Sequence, residues 1–324
     1  ELQIRKSLQK AAKFCFLSEG LLRAGLYYRI FFIEGAIMQV TFYGAVREVT
    51  GSMHMIETES DSILLDCGMF QGRRKDTEYK NKSFPFDPKS IVTLVLSHAH
   101  IDHSGRIPLL TKNGFTGRVI CTRATADACT YLLLDSAHIQ ESDTNYLNYK
   151  SLLNTLLSKS NNSDHNKSKK NKRNEIASIL KIEGNKLNIE QITALMKENR
   201  LDQISPLYTI EETEKALQSF DGYPYRVPVE IGLNTTCTFY EAGHILGSAL
   251  SLIKIKEKNR QFTVCYTGDI GRYDKPIIKN PNALFPEEDK NIDLLIIESP
   301  YGNREHEPIE DLKPQRKKVI NDTG

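Results

Sequence analysis

The sequence predicts a layered α/β domain. Three features of its order point there: short apolar runs with turn residues between them from Met38 onward, a helical and lysine-rich stretch in the middle, and a return to strand-like runs afterwards. With 324 residues and 40% hydrophobic content, the chain can bury a full core, and its size suits one large or two modest domains. Its 43 basic and 41 acidic residues leave a formal net charge of +2. No whole-surface field therefore announces a nucleic-acid or membrane partner, and any basic surface is local.

Taken in order, residues 1–37 read as a leader upstream of the folded domain, with no role assigned. The stretch from Ala24 to Met38 is apolar and aromatic, but Arg29 and Glu34 interrupt it and it is shorter than a spanning helix needs. Met38 directly precedes the first strand-like run, MQVTFYGA. HMIETES, SILLDCG and the continuous run IVTLVLSHAH follow, the last suggesting a strand covered on both faces. RIPLLTKNG reads as a helix closed by Gly114, GRVICT as a strand, and ATADACTYLLLDSAHIQES as a helix with Ala128, Leu132 and Leu133 available to one face. From about Ser158 to Asn174 the chain is polar and lysine-rich, and a mobile loop or linker is expected.

LNIEQITALMKENRL looks helical, and Thr209 with Glu212 has capping-box spacing ahead of another helix at IEETEKALQSF. These helices form an insertion at about residues 155–220. Strands resume at VPVEIG, TTCTFYEAG, ALSLIKIK, FTVCYTGD and DLLIIES, several ending in a polar or charged residue. Cys15, Cys67, Cys121, Cys129, Cys237 and Cys265 contain no CxxC pair, so neither a disulfide framework nor a thiolate metal site is indicated, and a reducing cytoplasm fits best.

The chemistry concentrates where apolar strands end. His98, His100, Asp102 and His103 fall in one short loop directly after IVTLVL. Imidazole nitrogen and carboxylate oxygen are preferred zinc donors, and alternate residues of a tight loop can face different cations. Downstream, His244 stands between glycines in EAGHILGSA, and Asp269 closes the strand of FTVCYTGD. Alone, His244 reads as a core histidine and Asp269 as a strand-end turn or helix cap. In this order, each at a strand end, both read as ligands, with two carboxylate oxygens suiting Asp269 to bridge a pair of cations.

HAHIDH, then AGHILGSA and TGDIGR, resembles the signature series of the metallo-β-lactamase superfamily. GAVREVTGSMHMIET, the AGHILGSA form and IIESPYGNREH resemble its RNA-processing branch, the β-CASP nucleases related to cleavage and polyadenylation factors. The resemblance covers about residues 38–324. It implies an αββα sandwich, here incomplete, interrupted by the helical, lysine-rich insertion and lacking a β-CASP cap domain, so that the chain looks like an N-terminal fragment. It also implies two Zn²⁺ ions, with His98, His100 and His244 on one, Asp102 and His103 on the other, and Asp269 between them. Mn²⁺ or Fe²⁺ accept the same donors.

By the same resemblance, Asp66 in LLDCGMFQG orients the metal-bearing loop, and Asp102 and Glu298 handle protons while a water activated between the cations attacks a phosphodiester. Pro300 departs from the branch's usual threonine beside Glu298.

RNA is implied as partner for the full-length protein, and no membrane is. Substrate-binding residues stay unassigned. The run Lys167, Lys169, Lys170, Lys172 and Arg173, the nearer Arg73, Arg74 and Lys75, and Tyr43, Tyr240 and Tyr301 are candidates for phosphate contact and base stacking, against plainer readings as solvated or packing residues. His138 on a helical face reads as structural, and His54 and His165 are not assigned as ligands. His306 stands between a place at the substrate edge and a plain surface role. Two other functions remain open, a hydrolase of small esters or thioesters and a non-catalytic RNA-processing scaffold. The oligomeric state is open too, a homodimer included. Without the branch's later histidines, the chain by itself is expected to bind zinc and cleave RNA weakly or not at all.

Overall fold

The structure is a computed structural model that describes residues 15–22, 25–32, 38–161, 169–182, 186–257, 260–282, 284–299 and 321. Two sheets pack face to face. The first has eight strands in chain order: β1 (Cys15–Leu22), β2 (Gly25–Phe32), β3 (Gln39–Gly44), β4 (Met53–Glu57), β5 (Ser62–Leu65), β6 (Ile91–Val95), β7 (Arg118–Thr122) and β8 (Phe220–Tyr223). Pairing is antiparallel through β5 and parallel from β5 to β8. The second sheet has five strands, β9 (Pro228–Gly232), β10 (Thr235–Glu241), β11 (Ala249–Glu257), β12 (Arg260–Tyr266) and β13 (Leu294–Ile296), side by side in that order. Only the β12–β13 pair is parallel.

The sandwich core forms because alternate side chains of each strand point inward. Val40, Ile56, Ile63, Leu65, Val95 and Ile120 of the first sheet meet Ile231, Phe239, Ile253, Ile255 and Val264 of the second, all buried. The parallel strands β6 and β7 are apolar on both faces, as IVTLVL anticipates: Leu94, Leu96, Val119 and Cys121 pack outward against Ile107 and Leu110 of α3 (Ile107–Lys112) and Cys129 and Leu133 of α4 (Arg123–Asn161). On the far side of the second sheet, Leu250, Leu252 and Cys265 are covered by Ile270, Phe285 and Ile292, which lie outside any α-helix or strand among the described residues. The result is a two-sheet sandwich of the αββα kind, whose second sheet carries no α-helix on its outer face among the described residues. No helix among the described residues is long and apolar enough to cross a membrane.

Three expectations change. Residues 15–22 and 25–32, read as part of an upstream leader, form a hairpin whose second strand pairs with β3 from Tyr28↔Phe42 to Phe31↔Gln39. Residues 158–174 are not a continuous loop. The helix α4 runs 39 residues to Asn161, and α5 (Lys169–Ile179) begins inside the lysine run, leaving residues 162–168, with His165 and Lys167, outside the described residues.

The helical outcome has a physical cause that the polar composition hides. Leu152, Leu153, Leu156 and Leu157 repeat at helical spacing and close a small core with Ile176, Leu180, Ile192 and Met196. Lysine is itself a good helix former, so a core on one face suffices to order it. The third change is β8, which the sequence reading passed over. Its four residues, FDGY, carry no alternation, and it exists through parallel pairing with β7.

The insertion's other helices are α6 (Ile189–Glu198) and α7 (Ile210–Leu217). At α7 the Thr209 side chain accepts from the Glu212 backbone N–H at 3.2 Å, and the Glu212 carboxylate accepts from the Thr209 N–H at 2.9 Å. Thr209→Ala is expected to lower stability by about 1 kcal/mol. Denaturant unfolding checks this, with faster amide exchange in the first turn of α7.

Candidate metal centre

Every predicted ligand follows a strand or strand-end turn, and backbone bonds tie these turns together across the two sheets. After β6, Leu96 N donates to Ile120 O, and Ser97 O accepts from Ala249 N of the second sheet at 2.9 Å. The segment Ser97–His100 leads into α2 (Ile101–Ser104), which carries Asp102 and His103. The His244 turn is held by its own Ser248, whose Oγ accepts from His244 N at 3.0 Å, and by Thr122 and Thr125, whose hydroxyls both donate to Gly247 O. Asp269 follows β12, where Gly268 adopts φ +50° and a Cβ would stand 2.6 Å from Ser97. Glycine there lets the Asp269 turn lie directly on the histidine loop.

The side chains converge. His100 Nδ1 lies 3.0 Å from His98 Nε2 and 3.1 Å from His244 Nε2, and Asp269 Oδ2 lies 3.5 Å from His244 Nε2 and 3.8 Å from His98 Nε2. All four donor atoms fall within 4.8 Å of one another. A tetrahedral cation with bonds of about 2.0–2.1 Å separates its ligand atoms by about 3.3 Å, so these spacings straddle the value such an ion requires. Three nitrogens and a carboxylate oxygen are also a suitable donor set for a divalent metal, and this group can hold one.

The other oxygen of Asp269 reaches away from that group, lying 3.2 Å from His103 Nε2, which is 3.9 Å from Asp102 Oδ2. Asp269 therefore touches both sets, and the Asp102–His103 side is the looser. Glu298, half-buried, accepts from Ile270 N at 2.6 Å, which fixes it one residue from Asp269. Pro300, Tyr301 and His306 lie outside the described residues.

Asp66 lies fully buried behind the site at φ +57°, a region disfavoured for non-glycine residues. Its Oδ1 accepts from Ser97 N at 2.7 Å. Its Oδ2 accepts from Ser97 Oγ at 2.8 Å, from His103 Nδ1 at 2.6 Å and from the Tyr266 hydroxyl. An acceptor at Nδ1 leaves His103 Nε2 facing Asp269, the arrangement a ligating histidine needs.

Burial opposes a charge on His103, but Asp66 and Asp269 outweigh it and hold its pKa at about 10 with no metal present, so its Nε2 carries a proton that a bound cation would have to displace. Burial and the neighbouring histidines push His98 down, so its ring is neutral with a free lone pair. Burial also lowers His244, against the pull of Asp269.

Two buried groups behind the site carry no local mark in the sequence. Arg106 is fully buried. Its guanidinium donates to Gly68 O, Lys80 O and Ser83 O and lies over the rings of Phe70 and Phe84. It thereby ties α1 (Arg74–Lys82) to the turn behind the metal loop. His54 on β4 is buried, and burial, opposed by Asp66 and reinforced by His103, lowers its pKa from 6.5 to about 4. A folded-state pKa below the unfolded one gives stability that is intact above pH 6.5 and is lost as the pH falls toward 4. Wild type is expected to lose up to about 3 kcal/mol more than His54→Phe over that window, read by urea unfolding of chelator-treated protein.

The remaining candidates scatter. Tyr240 is buried, packs on Phe285 and bonds Asp289, so it is not available to stack on a base. Tyr43 is half-buried against Phe86. Arg73, Lys75 and His138 are exposed. Of the lysine run, Lys169, Lys170, Lys172 and Arg173 lie on α5.

The turns of both sheets of this αββα sandwich thus gather three imidazoles and a carboxylate into a candidate metal centre. Residues 46–137 match the Metallo-beta-lactamase superfamily. Among curated proteins, the chain is 27% identical over 286 residues to Ribonuclease TTHA0252 of Thermus thermophilus, covering 88% of this chain and 49% of that protein. It is 26% identical over 288 residues to Transcription termination factor FttA of Methanocaldococcus jannaschii, covering 87% and 33%. To Endoribonuclease ysh-1 of Neurospora crassa it is 26% identical over 282 residues, covering 86% and 25%. The chain is thus similar to the metallo-β-lactamase superfamily over residues 46–137, and the relatives it resembles are of the β-CASP branch. It spans about half or less of the length of each of the three.

Proposed function

We propose that the protein is a metal-dependent phosphodiesterase acting on RNA, with two zinc ions at the centre. The observation that carries this reading is Asp269, one oxygen of which completes the group with His98, His100 and His244 while the other faces His103. Relatives named ribonuclease and endoribonuclease support RNA as the substrate. Divalent cations held there supply positive charge and a bound water acidified to a pKa of about 7.

The chain's own groups do the rest. Asp66 holds His103 in the Nδ1–H tautomer. Asp269 aligns the two donor sets. On this reading Asp102, at the half-exposed edge of the site, takes the proton that the attacking water loses, and Glu298, whose carboxylate accepts from Ile270 N, assists its passage to the leaving oxygen. Cys67, Cys121, Cys129, Cys237 and Cys265 are free and buried, which supports a reducing, cytoplasmic location.

The test uses the whole protein, a labelled single-stranded RNA, DNA of the same sequence and a thioester. RNA cleavage is expected that stops with chelator and returns with Zn²⁺ or Mn²⁺. Asp102→Ala is expected to slow it by about 100-fold or more. Cleavage indifferent to chelation, or turnover of the thioester with RNA left intact, overturns the reading.

A further inference from the structure

The Asp66 carboxylate receives one hydrogen bond from the opposite sheet, and it comes from Tyr266, the last residue of β12. Behind the phenol the chain of contacts continues inward. Ser52 Oγ lies 2.9 Å from the Tyr266 hydroxyl, and His54 Nε2 lies 3.4 Å from Ser52 Oγ. All three side chains are buried.

Proton positions can be assigned by elimination. Ionised Asp66 only accepts, so the phenol donates to it, Ser52 donates to the phenol, and His54 donates from Nε2 to Ser52. This leaves His54 Nδ1 as a bare acceptor, and that atom has no hydrogen-bond partner. Burial and the Asp66 charge raise the Tyr266 pKa well above its ordinary value, so the phenol keeps its proton at any working pH.

We propose that Tyr266, backed by Ser52 and His54, is a positioning residue for the metal centre: it clamps the end of β12 to Asp66 so that Asp269 meets His103. Asp66 orients His103 on one sheet, and Asp269 stands three residues beyond Tyr266 on the other. The phenol is the side-chain link that makes these two placements one. This inference rests on the metal-centre reading and not on RNA as substrate.

The role predicts an uneven effect. His98, His100 and His244 gain their places from other bonds, so three of the four donors of that group stay in place when the clamp is removed and its cation is held only slightly less tightly. The Asp102–His103 side, already the looser, loses more. Losing a partner one layer behind a ligand typically weakens metal affinity about 10- to 100-fold.

The experiment is zinc titration of the metal-free protein against a chromophoric chelator, for wild type, Tyr266→Phe and Ser52→Ala, with nitrogen-15 NMR of the His103 ring. Wild type is expected to bind two equivalents. Tyr266→Phe should weaken the first only slightly, bind the second about 10- to 100-fold more weakly, and show the His103 ring of the zinc-loaded protein losing its Nδ1–H signature. Ser52→Ala, which spares the bond to Asp66, should show a smaller loss in the same equivalent, and it serves if the phenylalanine variant does not fold. Unchanged second-site affinity in Tyr266→Phe, or equal weakening of both equivalents, overturns the clamp. A wild type that takes up no zinc overturns the metal-centre reading, and the clamp with it.

Discussion

Replacing Asp269 by alanine should empty the centre. One of its oxygens is the fourth donor beside His98, His100 and His244, and the other lies 3.2 Å from His103. No other described carboxylate joins that donor group. Metal affinity is expected to fall by more than the roughly 100-fold that marks the loss of a supporting partner, and the proposed phosphodiester cleavage should fall with it. Metal analysis of the purified variant by mass spectrometry gives the first readout and phosphodiester turnover the second. A variant that retains two equivalents after dialysis would show that Asp269 does not join the two sets. Because burial opposes its charge while His103 holds its pKa low, Asp269 is ionised at neutral pH in the wild type, and the loss is of a charged ligand.

The second large effect lies in backbone packing. A Cβ on Gly68 would fall 1.6 Å from the carbonyl oxygen of Asp102, 2.3 Å from its carbon and 2.8 Å from Ser52 N. None of these atoms is on a side chain that could swing aside. The same contact zone carries three backbone bonds, Gly68 N to Ser52 O, Ser52 N to Asp102 O and Cys67 N to His103 O. Gly68→Ala must therefore push α2 off its seat, at a cost of about 3 kcal/mol or more. Calorimetry should show a Tm lower by roughly 5–10 °C. Zinc titration should show the Asp102–His103 side lost first. An alanine variant with wild-type melting would mean that the turn relaxes without strain.

These two positions differ in how they could be read in advance. Asp269 carries its signal locally, as an acid at the end of the apolar strand FTVCY, and the histidine loop after IVTLVL does so more strongly. The donors that converge are those marked by residue type and strand ending together. The strands themselves were legible from apolar runs, and α7 from the Thr209–Glu212 spacing.

What escaped has a common cause, dependence on partners distant in the chain. Arg106 is buried by a carbonyl 38 positions away, and Tyr266 by a carboxylate 200 positions away. An arginine or tyrosine carries no local mark of that. The strand β8 is invisible for the same reason, because its order comes from β7, about 100 residues earlier by the pairing of Phe220 with Val119. The lysine-rich segment misled in the opposite direction, since the apolar residues that order its helices, Leu152, Leu153, Leu156 and Leu157 before it and Ile176 and Leu180 after it, lie outside the polar run.

The ligands are divided between the two halves of the sandwich, His98, His100, Asp102 and His103 from the first sheet's loops and His244 and Asp269 from the second's. An ion bound there would rivet the halves together, so its supply would govern how often they part. At a free metal concentration 100 times the dissociation constant, the gain is about 2.7 kcal/mol. In a metal-starved cell the seam would open more often and expose the chain to proteases, so the protein's lifetime would fall with the supply of its metal.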